Sequence, residues 1–317
     1  MAKASIPKVL NQQVAPLWAL YHGDCCEVIK GIPDDSLHYS IFSPPFASLY
    51  TYSASALDMG NCRDADQFNE HFEFLTHELH RVIMPGRLVS MHCMNLPTSK
   101  SRHGFIGIKD FRGDLIRLME LAGFVYHSEA CIWKDPVIAM QRTKALGLLH
   151  KQLVKDSAMS RQGIPDYVVT FRKLGENQEP VSGRLLEFSG LNEPKSIGDH
   201  AKDSINIWQR YASPVWMDID PGDTLQYRSA RDNNDERHVC PLQLGVIRRC
   251  LQLWTNPGDV VLDPFNGIGS TGFCCLEMGR RYVGFELKKS YYDAAVKNLT
   301  NASTNQQQSL FDVMGVA

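Results

Sequence analysis

"DPFNGIGST", residues 263–271, is the most informative motif of this sequence for predicting its architecture. It follows a short apolar run, Val260 to Leu262, that predicts a buried strand, and it precedes "GFCCLEMG" (272–279), which predicts a short helix ended by Gly279. Two glycines at a strand–helix turn let the backbone bend sharply and let a ligand approach closely. The helix N-terminus behind them offers unpaired N–H groups. There is no G-K-[ST] sequence, so the stretch does not predict a phosphate-binding P-loop.

The next predicted strand supplies a carboxylate where a nucleoside-binding fold needs one. "RRYVGFEL" (280–287) has the apolar character of a strand, and Glu286 ends it about where a carboxylate would meet a ribose diol. Gly267, Gly269 and Gly272 have the G-x-G-x-x-G spacing of the dinucleotide fingerprint, so glycine spacing alone does not separate a dinucleotide from another ribose-bearing cofactor. The pattern fits a ribose-bearing cofactor, and S-adenosylmethionine is the one that we expect, with a nicotinamide dinucleotide as the alternative.

This C-terminal unit cannot form a stable sheet by itself. Two parallel strands with two helices leave sheet surface uncovered, so other strands must complete the layer. The remaining apolar runs of strand length lie towards the N-terminus, and a helix with four large apolar residues at helical spacing precedes the second of them. The predicted elements are strands at 38–42, 87–93, 124–133 and 166–173, a helix at 66–82 and a last helix at 290–299, followed by a polar tail. We therefore expect one sheet assembled from both ends of the chain.

The apolar run Tyr39 to Phe42 stops at a second unusual stretch, "SPPF" (43–46). Two consecutive prolines cannot continue a central strand, because neither has an N–H group for the hydrogen-bond ladder. One interpretation is a strand terminator followed by a packed phenylalanine. The other is a rigid binding element, in which the Ser43 hydroxyl and the proline carbonyls accept hydrogen bonds and Phe46 offers a stacking face.

Residues 174–236 differ from the rest of the chain. They are polar and rich in turn formers at first, and "INIWQRYASPVWMDI" (205–219) then interleaves Trp208, Tyr211 and Trp216 with Arg210. The segment is either a loop insertion with its own apolar cluster or a recognition segment that presents rings and cations to a partner.

A basic stretch follows the third predicted strand. Its cations are Lys134, Arg142, Lys144, Lys151, Lys155 and Arg161. Such a run is either a solvated helix face or, if it flanks a nucleic-acid cleft, a set of phosphate contacts that makes binding sensitive to salt.

Composition gives no global signal of a partner. The chain has 317 residues, 44% of them hydrophobic, and a net charge of −2, so any surface that binds a polyanion must be local. Nine cysteines occur without a C-x-x-C pair, so no metal site is expected and the thiols should be reduced. The N-terminal residues lack the apolar core of a signal peptide and no run approaches membrane-spanning length, which predicts a soluble, cytoplasmic protein.

Together, these motifs resemble those of the amino-methylating DNA methyltransferases of the permuted type, in which the catalytic motif precedes the cofactor motif. "SPPF" matches their [DNS]-P-P-[YFW] motif, "DPFNGIGST" matches D-P-F-x-G-x-G-[ST], and "GFEL" (284–287) supplies the acidic residue for the ribose. "HGDC" (22–25) is similar to their G-D segment, whose aspartate contacts the cofactor's adenine. "DERHVCPLQL" (235–244) lies where the family places the helix that closes the methionine end, although His238 is followed by valine where the family often has proline. The resemblance spans nearly the whole chain outside 174–236.

The resemblance implies an S-adenosylmethionine-dependent enzyme that extrudes a base from double-stranded DNA and methylates its exocyclic amine by direct in-line transfer. The expected catalytic residues are Ser43, Pro44, Pro45 and Phe46. The expected cofactor contacts are Asp24, Cys25, His238, Asp263, Phe265, Asn266, Gly267, Gly269, Ser270, Thr271, Glu286 and Leu287. The expected DNA contacts, taken from the basic and aromatic stretches, are Lys134, Arg142, Lys144, Lys151, Trp208 and Arg210.

The resemblance also implies an architecture. We expect a single mixed, mostly parallel α/β sheet of the seven-stranded, Rossmann-like methyltransferase type, with helices on both faces and a permuted chain order. Residues 18–173 would form the catalytic half, 174–236 an inserted recognition segment and 237–300 the cofactor half, with tails at 1–17 and 301–317.

Several alternatives remain open from the sequence. In the family that the sequence resembles, serine at the first motif position is associated more with cytosine N4 than with adenine N6, whereas the absence of a Pro-Cys step disfavours methylation of a cytosine ring carbon. A methyltransferase for RNA or protein amines, a nicotinamide-dependent oxidoreductase and a non-catalytic DNA-binding module are further candidates. A bacterial or phage source is also expected, and a cognate restriction enzyme is a candidate partner that the sequence itself does not indicate. The sequence does not indicate the oligomeric state.

Overall fold

The computed structural model describes residues 8–46, 59–62, 65–98, 100–143, 146–185, 200–226, 230 and 241–314. Its strands are β1 Asn11–Val14, β2 Trp18–His22, β3 Leu37–Phe42, β4 Ile83–Met94, β5 Leu96–Thr98, β6 Gly107–Lys109, β7 Phe124–Ile132, β8 Asp166–Lys173, β9 Val215–Trp216, β10 Val260–Asp263 and β11 Arg281–Glu286. Its α-helices are α1 Cys25–Val28, α2 Ala65–Val82, α3 Lys100–His103, α4 Phe111–Leu121, α5 Pro136–Thr143, α6 His150–Lys155, α7 His200–Tyr211, α8 Leu244–Trp254, α9 Ser270–Glu277 and α10 Lys289–Met314.

Strands from both ends of the chain pair in one sheet, as the sequence predicts. β10 and β11 lie side by side between β3 and β2, and the strand order is β1-β2-β11-β10-β3-β4-β8-β7-β9. The strands from β2 to β4 run parallel, whereas β8 is antiparallel to both β4 and β7. Within the described ranges this mixed sheet has nine strands rather than the expected seven, because the short strands β1 and β9 pair at its two edges.

Helices cover both faces of the sheet, because side chains of a strand alternate between its two sides. On β10, Leu262 belongs to one apolar core and Val261 to the other. The first core is completed by α2 and α4, and the second by α8, α9 and α10. In α2 the four residues predicted at helical spacing, Phe68, Phe72, Leu75 and Leu79, are all fully buried.

Three segments are more regular than the sequence indicates. The predicted polar tail continues α10 to Met314, and β1 forms within the predicted N-terminal tail. The segment 174–236 contains α7 and also β9, which joins the main sheet beside β7. Trp216 of β9 is buried, and its indole N–H donates to the Tyr211 carbonyl at 3.1 Å. The described part of this segment is therefore attached to the main sheet through β7.

Helix α8 holds the same segment from the other side. The Arg249 guanidinium lies over the rings of Tyr211 and Trp216, at 4.9 and 5.2 Å from their centroids, and pairs with Asp218 at 2.6 Å. Residues 211–218 thus contact both β7 and α8.

No helix in the described ranges is both long enough and apolar enough to cross a lipid bilayer.

Candidate active site

A cleft of ≈ 790 Å³ opens at the carboxyl ends of β3, β10 and β11, where ligands bind in open α/β sheets. Ser43 lines it from the end of β3, and Asp263 and Glu286 line it from the ends of β10 and β11. The two motifs, which lie far apart in the sequence, therefore meet in one cavity.

The glycine turn after β10 adopts a conformation that requires its glycines. Gly267 has φ +54° and Gly269 has φ +90°, both in the left-handed region that other residues rarely adopt. A Cβ on Gly267 would meet no atom closer than the Phe265 carbonyl oxygen at 4.0 Å, so this glycine faces open space. A Cβ on Gly269 would lie 3.3 Å from the Ala295 Cβ of α10, so this glycine permits close packing of the turn.

Asp263, the last residue of β10, fixes the turn from inside. Its carboxylate accepts a hydrogen bond from the Phe265 N–H at 2.9 Å and another from the Thr271 hydroxyl at 2.7 Å. Burial raises the pKa of Asp263 to about 7, although both hydrogen bonds act to lower that pKa. Asp263 and Thr271 thus hold each other at the start of α9.

Glu286 joins the glycine turn to the end of β11. One oxygen of its carboxylate accepts from the Gly267 N–H at 2.7 Å, and the other accepts from the Lys288 N–H at 2.8 Å. Its own carbonyl accepts from the Gly23 N–H at 3.0 Å, which brings the "HGDC" segment to the same edge of the sheet. The predicted ribose carboxylate is therefore also part of the loop's internal hydrogen bonding.

Asp24 follows at once and caps α1. It accepts from the N–H groups of Cys26 and Glu27 at 2.7 and 3.3 Å. Burial raises the pKa of Asp24, and the two backbone hydrogen bonds partly oppose that shift. Asp24 and Glu286 thus place two carboxylates at the cofactor end of the cleft.

Asn266 has a structural task. Its side-chain oxygen accepts from the buried Tyr282 hydroxyl at 2.7 Å, its side-chain N–H donates to the Gly267 carbonyl at 2.7 Å, and its backbone N–H donates to the Phe285 carbonyl at 2.9 Å. The side chain predicted as a cofactor contact therefore braces the turn.

The residues present fit a ribose-bearing cofactor. Ser270 at the start of α9 lines the cleft, and its buried hydroxyl has no hydrogen-bond partner among the described residues. A buried polar atom of this kind is normally satisfied, so a ligand atom in the cleft would supply what it lacks. The open face of Gly267 and the carboxylates of Asp24 and Glu286 add room and acceptors for hydroxyl and amine hydrogens.

At the other end of the cleft, Ser43 follows β3 directly. Its hydroxyl lies 3.1 Å from His92 Nδ1 and 3.2 Å from the His92 carbonyl oxygen. Pro44 and Pro45 line the cleft beside it. Phe46 is half-buried in the wall, with its ring 6.2 Å from that of Phe111 in an edge-on arrangement.

Behind Ser43 is a row of polar side chains that the sequence did not reveal. His92 Nε2 lies 3.3 Å from Asp166, a buried carboxylate that also forms an ion pair with Lys134. Burial alone would raise the pKa of Asp166, but the charges and hydrogen bonds of His92 and Lys134 outweigh burial and lower it. Lys134, predicted as a phosphate contact, is thus paired with a carboxylate in the cleft wall.

The sequence holds a partial signal for this row. His92 lies near the end of the strand next to β3, so its proximity to Ser43 follows once β3 and β4 are known to be parallel neighbours. Asp166 is the first residue of β8, and it reaches the same edge only because β8 runs antiparallel to β4. Sequence pattern alone does not give that direction.

The cleft brings together most of the predicted residues. Those that line it are Asp24, Cys25, Ser43, Pro44, Pro45, Phe46, Lys134, Asp263, Phe265, Asn266, Gly267, Ser270, Thr271, Glu286 and Leu287. Gly269 lies behind the turn, and the described residues Lys151, Trp208 and Arg210 are exposed outside the lining. His238, Lys144 and the side chain of Arg142 lie outside the described residues.

Comparison with known proteins agrees with the family resemblance of the sequence motifs. The N6/N4 methyltransferase family model, described as a DNA methylase, matches residues 37–297. The chain is 22% identical over 283 residues to the Type II methyltransferase M.BglII of Bacillus subtilis, a match that covers 89% of this chain and 68% of that protein.

Two solved structures share the fold. A Thermus thermophilus protein assigned as a DNA modification methylase, complexed with S-adenosyl-L-methionine, superposes with a TM-score of 0.61 at 20% identity and covers 90% of this chain and 93% of its own. The cytosine-N4-specific PvuII DNA methyltransferase superposes with a TM-score of 0.60 at 16% identity and covers 94% and 96%. Since the family model spans most of the sequence, the chain belongs to the N6/N4 DNA methylases, site-specific enzymes that methylate exocyclic amines of DNA bases with S-adenosyl-L-methionine as cofactor.

Proposed function

We propose that this protein methylates the N4 amine of a cytosine that is extruded from double-stranded DNA into the cleft, with the N6 amine of adenine as the second candidate. The observation that carries the proposal is the position of Ser43, which opens into the same cavity as the glycine turn and Glu286. Serine at the first position of the motif favours cytosine. The cofactor supplies an electrophilic methyl group when it is bound.

The residues at the end of β3 solve a chemical problem. The lone pair of an exocyclic amine is delocalised into its base, so the amine is a poor nucleophile. The Ser43 hydroxyl oxygen and the Pro44 carbonyl are acceptors for the two amine hydrogens, and hydrogen bonds to both favour a pyramidal nitrogen. That geometry directs the lone pair towards the cofactor end of the cleft without a covalent enzyme intermediate.

Phe46 is proposed to hold the extruded base. An amine inside a duplex is out of reach of the cleft, so enzymes that modify bases take the base out of the stack. The half-buried ring of Phe46 in the cleft wall offers a face for stacking. Phe46→Ala should cost about 1–3 kcal/mol of base binding.

We assign DNA reading to the segment 174–236. Trp208 is 56% exposed and Arg210 of the same helix is exposed, while residues 211–218 are fixed against β7 and α8. An exposed ring and an exposed cation on a segment that is anchored to the sheet support recognition of a duplex beside the cleft. Exchange of this segment with that of a relative should transfer the methylated sequence, and an active chimera that keeps the original site would contradict this assignment.

The chain order is proposed to be of the permuted type, with the catalytic half before the cofactor half. The position of β10 and β11 between β2 and β3 supports it.

The experiment that tests the function is expression in a host that lacks its own DNA methylases, followed by mass spectrometry of the digested nucleosides. We expect N4-methylcytosine. Ser43→Ala should reduce turnover about a hundred- to a thousandfold, by analogy with the loss of one oxyanion-hole donor, and should leave cofactor affinity nearly unchanged. N6-methyladenine alone would make adenine the target, and 5-methylcytosine would refute the mechanism.

A further inference from the structure

The row of polar side chains behind Ser43 has a definite direction of hydrogen bonding. The Ser43 hydroxyl has a single hydrogen, and both of its acceptors belong to His92: Nδ1 at 3.1 Å and the carbonyl oxygen at 3.2 Å. When the hydroxyl donates to His92, the lone pairs of its oxygen are left for a group in the cleft.

The other side of the imidazole ring favours the tautomer that this arrangement needs. His92 Nε2 lies 3.3 Å from the Asp166 carboxylate, an ion-pair distance without the alignment of a full hydrogen bond. A carboxylate there favours the hydrogen on Nε2, so Nδ1 keeps a lone pair for the serine hydroxyl. Lys134 forms an ion pair with the same carboxylate, so Asp166 has a cationic partner besides the ring.

We propose that His92, held by Asp166, is a positioning residue that orients the Ser43 hydroxyl so that its oxygen accepts a hydrogen bond from the target amine. The proposal rests on the proposed role of Ser43 and adds two residues to it. His92 acts through Ser43 and only in its neutral form.

Protonation of the ring changes the arrangement. A protonated Nδ1 donates to the Ser43 oxygen and occupies one of its lone pairs, while the hydroxyl hydrogen stays on the His92 carbonyl, so the oxygen becomes a poorer acceptor for the amine. Asp166 of β8 faces the ring through one carboxylate oxygen, and Lys134, which follows β7, pairs with the other oxygen of that carboxylate. Methyl transfer should therefore slow on the acid side as His92 becomes protonated.

Two substitutions separate the two sides of the ring. His92→Asn places an amide oxygen near the position of Nδ1, facing Ser43, whereas His92→Gln places an amide near the position of Nε2, facing Asp166. In single-turnover methylation with saturating cofactor and DNA, we expect His92→Asn to remain within about tenfold of the natural enzyme and to lose the acid limb of its pH profile. We expect His92→Gln to lose roughly a hundredfold, as removal of supporting hydrogen bonds to functional ligands does elsewhere.

A purely structural histidine predicts the opposite order, because Gln preserves the contact with Asp166. Equal rates for the two variants, a faster His92→Gln enzyme, or an acid limb that persists in His92→Asn would overturn the proposal. Thermal melts identify a variant that is merely unfolded.

A second pair of variants keeps the question open to refutation even if His92 substitutions unfold the protein. Asp166→Asn removes the charge that stabilises a protonated ring, so the acid limb should move to lower pH. Lys134→Met removes the positive charge that pairs with Asp166, which stabilises a protonated ring, so the acid limb should move to higher pH. Shifts in the same direction, or no shift, would overturn the role of His92.

Ser43→Ala distinguishes failure of this proposal from failure of the proposed function. If Ser43→Ala keeps normal turnover, the assignment of Ser43 fails and His92 has nothing to position. If Ser43→Ala is inactive while the other variants follow the structural pattern, only the role of His92 is wrong.

Discussion

Glu286→Ala tests whether the carboxylate at the end of β11 binds the cofactor or only holds the glycine turn. The substitution removes two kinds of interaction. One is the pair of hydrogen bonds from the N–H groups of Gly267 and Lys288, at 2.7 and 2.8 Å, and the other is the set of contacts with a ribose. The two losses appear in different measurements, because only the first exists without cofactor.

The magnitudes follow from the geometry. Each internal hydrogen bond contributes about 0.5–1.5 kcal/mol, so both cost about 1–3 kcal/mol, or roughly 2–5 °C in Tm for a chain of this size. Loss of charge-assisted bonds from a half-buried carboxylate to the ribose should cost a further ~1–3 kcal/mol in binding, a rise in Kd of roughly 5- to 150-fold. Glu286→Gln keeps one acceptor oxygen, so its Tm and its Kd should lie between those of the natural protein and those of Glu286→Ala.

The assay is calorimetric titration with S-adenosylmethionine beside thermal melts of the free protein. Glu120→Ala, an exposed glutamate on α4, is the matched control and should change neither quantity. A Glu286→Ala protein that melts early but binds cofactor with a Kd within about twofold of the natural value would restrict Glu286 to the loop. Tight binding of a nicotinamide dinucleotide instead would refute the cofactor assignment for the whole turn.

Two further predictions concern the buried carboxyl group and the surface charges. Burial raises the pKa of Asp263 from 3.8 to about 7, so the unfolded chain ionises first and the natural protein should lose stability as pH rises from about 4 to about 7. Asp263→Asn lacks that loss, so its free energy of unfolding in urea, relative to that of the natural protein, should rise by about 2–3 kcal/mol between pH 5 and pH 8. A difference that stays constant over this range would contradict a buried, protonated carboxyl group. Lys151→Ala and Arg210→Ala should each reduce the slope of log affinity against log salt for DNA by about one, while Lys297→Ala on α10 should not; unchanged slopes would exclude these two cations as phosphate contacts.

The sequence predicts the core of the fold because its local signals agree with the tertiary structure. Three features can each be recognised within one short stretch of sequence. They are the four buried residues of α2, the apolar run that forms β3 and the glycine turn after β10. The sheet assembled from both chain ends also follows, because the C-terminal strands alone cannot bury their faces.

The remaining elements depend on contacts that no local pattern records. β9 has two residues, and it is a strand only because β7 offers an edge and Arg249 packs on Trp216. The polar residues after Leu299 continue α10 although they lack the apolar period of a predicted helix. At the site, the sequence predicts Ser43 and the glycine turn. His92, the partner of Ser43, lies on the parallel neighbour β4, and Asp166 lies on β8, which runs antiparallel to β4; only the structure supplies these directions.

The pairing of β10 with β3 has a consequence for how the chain is made. The Ser40 hydroxyl donates to the Leu262 carbonyl at 2.9 Å across a sequence separation of 222 residues. At about 5–20 residues per second, translation leaves the inner edge of β3 without its partner for roughly 10–40 s. During that time an apolar strand edge is exposed in a chain whose contacts are far apart in sequence, which favours slow folding and self-association. The strand pairing that completes the cleft thus requires that the N-terminal strands of the nascent chain do not associate with other chains before β10 has been synthesised. We expect chaperones to improve the yield most at the stage when the chain is released from the ribosome.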